Sequence, residues 1–337
     1  MKSHSIRALL ACAATIALAG CGGAGGGGAA FISSPPVTPT PTPSPAPTPT
    51  PTPTPPPPPV APAHLGLVSD KPFAVVASGE TYLLSSNNQD RSPVSGPAFQ
   101  DVQFSYDASS NSYTISLPGF QTGRLANTSY NGSSGQPAIG SFSSVTAGDS
   151  TSVQPVGVTL QVPGTHYSPY TYTGFGWWDG QTGTTSSGGV THEEGIFAYG
   201  IPTAATGIPV SGNATYSAMV QGRTIDDYYI GGEATLQFAF ATGTLSGHFD
   251  PAVYDWDALI PLGRYDFTNT VYSLGSTSFS GSLSQAGVGT GSFNGQFTGP
   301  NAEELMARWT APFNNPLTGP TGGEPSTMSG VWIGKKN

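Results

Sequence analysis

Gly289-Thr-Gly-Ser-Phe-Asn-Gly-Gln-Phe-Thr298 alternates residue by residue. One face reads Gly289, Gly291, Phe293, Gly295, Phe297, and the other reads Thr290, Ser292, Asn294, Gln296, Thr298. Period two marks a strand buried on one side only. Glycine beside phenylalanine on the buried face suits a strongly curved sheet, with small residues at the bends and large ones filling the space. Working outward, Gly232 to Phe240 sets Ala234, Leu236, Phe238 and Phe240 against Glu233, Thr235 and Gln237. Thr242-Gly243 makes a turn, after which Leu245, Gly247 and Phe249 continue the apolar face. Thr277, Phe279, Gly281 and Leu283 oppose Ser276, Ser278, Ser280 and Ser282. Eight strands are predicted, near 213–220, 232–241, 243–249, 264–272, 276–284, 289–298, 303–311 and 326–334. Eight antiparallel strands at hairpin spacing predict a closed barrel, which removes the sheet edges. Seven phenylalanines, Phe238, Phe240, Phe249, Phe267, Phe279, Phe293 and Phe297, predict a packed interior rather than a small-ligand lumen, leaving binding to loops or the outer wall. An integral membrane barrel fits less well, because the strands are short and no aromatic girdle is evident.

The preceding half is also all-β but less regular. Val102 to Tyr106 and Tyr113 to Leu117 flank a turn-forming cluster, Asp107 to Ser112, and read as a hairpin. Val156 to Val162, Tyr170 to Trp178 and Ile196 to Tyr199 read as further strands. Polar loops are expected at Asn127 to Gln136 and Asp179 to Gly189. The fold class is therefore an irregular antiparallel sheet domain over 64–210, followed by an eight-stranded antiparallel barrel over 211–337.

Upstream, Lys2 and Arg7 precede an apolar run from Ala8 to Ala19 that ends in Leu18-Ala19-Gly20-Cys21. This is the charged, apolar and small-residue order of a secretory signal. A cysteine follows the cut, as in the bacterial lipobox, so residues 1–20 are expected to be a lipoprotein signal peptide, cut between Gly20 and Cys21, with Cys21 carrying the lipid. Acyl chains contribute roughly 0.8 kcal/mol per buried CH₂, enough together to hold the mature chain on a bilayer. Residues 21–63 form a stalk: Gly-rich from Gly22 to Ala30, then Thr-Pro repeats from Pro35 to Pro62. Proline lacks the N–H that sheets and helices need, so this stretch predicts extended polyproline II reaching roughly 90 Å at about 3.1 Å per residue. Cys12 and Cys21 are the chain's two cysteines, so the head is expected to be stabilised by its core and not by a disulfide. Charged residues make up 9% of the chain, and loss of Lys2 and Arg7 leaves 19 acidic side chains against eight basic ones. A nucleic-acid partner is not expected of such an acidic chain.

No Gly-x-Ser-x-Gly elbow, His-Glu-x-x-His, P-loop or Rossmann glycine pattern occurs, and His64, His166, His192 and His248 are scattered. An enzyme is not expected, nor a bound metal or cofactor. His192-Glu193-Glu194 reads as a solvated turn. Glu303-Glu304 is expected to accept backbone N–H groups or to pair with Arg264 or Arg308. The candidate binding residues are Asp226, Asp227, Tyr228 and Tyr229 in a loop from Arg223 to Ile230, with Tyr254 and Trp256 in a loop from Pro251 to Gly263. Trp177 and Trp178 join them, against the alternative that one ring faces the core. Aromatic residues in loops beside charge are common in recognition surfaces, and Tyr with Asp can also ligate ferric iron or haem.

The run Phe293-Asn-Gly-Gln-Phe-Thr-Gly-Pro-Asn-Ala-Glu-Glu304 resembles the barrel signature of the transferrin-binding protein B family, where a glycine-phenylalanine strand enters a Phe-Tyr-Gly-Pro-x-Ala-Glu-Glu stretch. The strand pair Gly232 to Gly247 and the closing strand Met328 to Gly334 fit the same domain. Thr298 stands where the family has an aromatic residue, and Leu305-Met306 where a glycine pair often follows. The resemblance covers about the last 125 residues. It implies a handle-like domain ahead of the barrel, and a lipid-anchored outer-membrane protein, facing the cell surface, whose monomeric head captures a protein partner. Haem or iron would then arrive carried by that partner. Transferrin binders of the family have two handle-plus-barrel lobes and this chain has length for one, so single-lobe relatives are the nearer comparison. A structural envelope lipoprotein without an external ligand is the other reading.

Overall fold

The computed structural model describes residues 66–337 except 87–89, 127–137, 145–153, 162, 165–167, 256–257 and 318–322. Gly20, Cys21, the stalk, the 127–136 loop and Trp256 lie outside the described residues. The described chain is all-β apart from one 3-10 turn at Ala205–Gly207.

The first half supplies β1 (Ala74–Leu84), β2 (Arg91–Gln100), β3 (Gln103–Asp107), β4 (Ser112–Ser116), β5 (Gly123–Ala126), β6 (Ala138–Ser144), β7 (Gln154–Gln161), β8 (Thr173–Thr184) and β9 (Val190–Gly200). They form a six-stranded antiparallel sheet in the order β2-β1-β9-β8-β7-β6, and a small sheet β3-β4-β5. β2 is an edge strand carrying Pro93 and Pro97, residues that cannot extend a ladder and are tolerated where no neighbour needs their N–H. One side of the large sheet packs Trp178, Phe197, Tyr199 and Ala77 with Phe104, Tyr113 and Ile115 of the small one. The other side faces the barrel.

The second half supplies β10 (Asn213–Thr224), β11 (Tyr229–Ala239), β12 (Thr244–Asp255), β13 (Ala258–Pro261), β14 (Tyr265–Val271), β15 (Ser278–Gln285), β16 (Gly289–Thr298), β17 (Glu304–Asn315) and β18 (Glu324–Lys336). Eight of these run β11-β10-β18-β17-β16-β15-β14-β12 and close through β11–β12, while β13 is a short hairpin partner of β12. The expected eight strands are present. The segment from Pro251 to Gly263, expected as a loop, is instead the end of β12 and the β13 return, and the expected Arg223–Ile230 loop shortens to a tight turn between β10 and β11.

Alternation points the apolar residues inward. The interior is filled by rings: Phe238 to Phe297 at 4.8 Å, Phe249 to Trp309 at 4.8 Å, Phe267 to Phe293 at 4.6 Å and Phe293 to Trp332 at 5.2 Å between centroids. The glycine–phenylalanine pattern has a specific geometry. Gly281 sits opposite Phe293 and Phe279 opposite Gly295. A Cβ on Gly281 would lie 2.6 Å from the Phe293 ring, and one on Gly295 would lie 2.6 Å from the Phe279 ring. Each glycine makes room for its partner's ring across the strand pair.

β17 and β18 break the alternation. Leu305 and Trp309 face the lumen and Met306 faces out, yet all three are fully buried, as are Val331, Trp332 and Ile333. Their outer side is covered by the handle: Val76, Phe175 and Ala198 pack on Met306, Val331 and Ile333.

Candidate binding surface

The handle–barrel junction takes up several residues with binding chemistry. Glu80 on β1, Glu194 on β9 and Arg91 on β2 meet between the sheet and the barrel. Arg91 donates to Glu80 and, at 2.6 Å, to Glu194, and lies 3.7 Å from Asp227. Its guanidinium also stacks 3.5 Å from the centre of the Tyr82 ring. Arg223, from the end of β10, pairs with Asp227 and reaches Glu194 at 3.5 Å. Asp227 has φ 69, so the turn that carries it is left-handed, as short hairpin turns require. Burial pushes the Glu80 carboxyl up to about 8; Arg91 opposes the shift and Glu194 adds to it. Burial also raises Glu193, against its hydrogen bond from Thr81, and raises Asp227 against the pull of Arg223.

His192-Glu193-Glu194 is therefore not a solvated turn. It lies within β9, and Glu193 and Glu194 are buried. His192 stacks on Tyr82 and lies 3.2 Å from Asp179. Glu304 accepts the backbone N–H groups of Thr171 at 2.6 Å and Tyr172 at 2.9 Å, which joins the barrel to the handle. The expected partners Arg264 and Arg308 are used elsewhere: Arg264 pairs with Asp250, and Arg308 donates to Asn294 and to the Gln100 carbonyl.

The sequence-predicted site residues divide. Asp227 is held at the junction, and Asp226 accepts from Asn315 at 3.2 Å and Ser326 at 3.0 Å, tying the β10–β11 turn to β17 and β18. Tyr228 packs against the barrel core. Trp178 is buried between the handle sheets and offers no surface to a ligand, a correction to its reading as a binding residue: neighbouring strand residues face opposite ways, and its side is the core. Trp177, on the other face beside Phe175, is 37% exposed.

Tyr229 and Tyr254 are brought together. Their rings lie 5.3 Å apart on the outer wall at 36% and 44% exposure, and Tyr229 donates to Gln221 at 2.5 Å. Leu259 of β13 sits directly across from Tyr254 and is also exposed. Leu259 was not singled out in the sequence, since one apolar residue in a proline-flanked segment carries no periodicity. Among the described residues, no group of three His, Cys, Asp or Glu side chains is placed to hold a metal.

No family model matches the sequence, and no curated protein matches it. Solved structures do. A double mutant of transferrin-binding protein B from Haemophilus parasuis aligns over 77% of this chain and 45% of its own, at 15% identity and a TM-score of 0.38. Transferrin-binding protein B from serogroup B Neisseria meningitidis aligns over 77% of this chain and 44% of its own, at 13% identity and a TM-score of 0.37. Each likeness covers about three quarters of this chain. A structure described as a surface lipoprotein aligns over its full length and 79% of this chain, at 15% identity and a TM-score of 0.33. This chain thus spans less than half the length of the transferrin-binding proteins it matches.

Proposed function

We propose that the protein is a lipid-anchored outer-membrane binding protein whose head captures a protein partner at the cell surface without chemistry. The observation that carries this reading is the Tyr229–Tyr254–Leu259 patch on the outer wall. Tyrosines give rigid, amphipathic contact area at low entropic cost, and such residues concentrate binding energy at interfaces. Three further features support it. The lumen is filled with aromatic rings, so recognition falls to the outside. The sequence from Phe293 to Glu304 resembles the barrel signature of a family of surface binders. The lipobox and the Thr-Pro stalk would hold the head away from a membrane through Cys21. Any iron or haem would come with the partner.

The test has two steps. Protease added to intact cells should release the head while a periplasmic marker survives; a head protected until the outer membrane is broken overturns the surface reading. The full chain should then retain a partner from the cell's surroundings, and Tyr254→Ala with Leu259→Ser should weaken retention by about tenfold or more with the melting temperature unchanged. Retention unaffected by both substitutions removes this patch as the docking face.

A further inference from the structure

A groove of about 680 Å³ runs between the handle and the barrel, away from the tyrosine patch. One wall is the segment joining β2 to β3, with Asp101 and Gln103; the other is the outer face of β15 and β16. That face has an unusual composition. Cross-strand pairs there are Ser278 with Gln296, Ser280 with Asn294, and Ser282 with Ser292. Every outward position is a hydroxyl or a carboxamide, with no ionised side chain. Such a lattice repeats at about 5 Å across strands and ~6.8 Å along them.

We propose that this groove binds a neutral, hydroxyl-rich saccharide chain. Hydroxyls and carboxamides donate and accept at once, which matches sugar hydroxyls, and short serine side chains lose little rotamer freedom on binding. Val75 and Val271 supply apolar lining for the C–H faces of pyranose rings. The groove's cation, Arg308, is occupied by Asn294 at 3.0 Å, the Gln100 carbonyl at 3.1 Å and the Phe99 ring at 4.6 Å. With a chain net charge of −9, an anionic glycan is disfavoured. An extended peptide would want a free backbone edge, and β15 and β16 are each paired on both sides. Among the described residues, Gln103, Ser280 and Gln296 engage no side-chain partner, so their hydrogen-bonding capacity is open. The volume is that of a small-ligand site and accommodates a few sugar rings.

The test uses the full chain and saturation-transfer NMR, with maltohexaose, cellohexaose, chitohexaose and mannohexaose as probes. At least one should bind, and Ser280→Ala with Gln296→Ala should weaken it about tenfold. Gln237→Ala with Ser246→Ala, a cross-strand pair on another stretch of the outer wall, should leave it unchanged. Silence from all four hexasaccharides overturns the proposal. So does equal loss in both double variants, or a signal from a neutral Gly-Ser-Asn-Gln peptide in place of the sugars. Tyr254→Ala should leave sugar binding intact, so failure of the protein-docking reading is read separately.

Discussion

Around Glu80, three acids and two arginines gather between a sheet and a barrel, and burial decides the protonation of Glu80. The Glu80 carboxyl moves from 4.5 to about 8. Between those values the folded chain holds a proton that the unfolded chain has released, so this contribution to stability is fully present below about 4.5 and is lost as pH rises through about 8. The buried, unpartnered Oε2 of Glu80 fits a neutral acid. Glu80→Gln cannot titrate. Urea unfolding should find it close to the parent near pH 5 and more stable than the parent near pH 8.5; a constant difference across that range would refute the assignment. None of this was legible locally. His192-Glu193-Glu194 looks like a turn because its neutralising partners, Arg91 and Arg223, lie far away in sequence and on two other strands. Trp178 shows the opposite case, since the Trp-Trp pair carried both readings and only the sheet it faces separates them.

Among the elements, period two in the barrel was legible nearly strand by strand, because one face is dry and the other wet. The glycine–phenylalanine pairs give that pattern its sharpest consequence. Gly295→Ala would place a methyl 2.5 Å from the Met306 carbonyl and 2.6 Å from the Phe279 ring. It should cost about 2 kcal/mol or more through displaced rings, read as a lower denaturant midpoint with an unchanged slope. A neutral effect would show that the strand pair yields more easily than its packing implies. The handle was harder to read. β2, Arg-Ser-Pro-Val-Ser-Gly-Pro-Ala-Phe-Gln, has prolines and little apolar alternation, and is a strand because β1 supplies its ladder. β8 runs on to Thr184 through a stretch expected as a polar loop, carried there by its pairing with β9.

Across the whole molecule, handle and barrel share one interface. Glu304 accepts two handle N–H groups, the Tyr170 hydroxyl donates to the Ile333 carbonyl at 2.6 Å, and Ser78 meets Ser329 at 2.5 Å. Glu304→Ala leaves the Thr171 and Tyr172 N–H groups, both partly exposed, without their acceptor and should cost about 1–3 kcal/mol. Hydrogen exchange should accelerate at Thr171 and Tyr172 and in β8 and β9; loss of protection confined to β17 would place the role of Glu304 within the barrel alone. Leu305-Met306-Ala307 and Val331-Trp332-Ile333 depart from period two, but only the fold shows that the handle covers their outer side. That double coverage also sets an order in time. β18 closes the barrel against β10, completes its core, and with β17 covers the handle's apolar face. It also follows every other described strand along the chain, so it emerges after them from any machine that releases the chain from its amino end. Until β18 joins, Val76, Phe175 and Ala198 have Met306 of β17 but neither Val331 nor Ile333 to pack on, so that side of the handle stays partly uncovered.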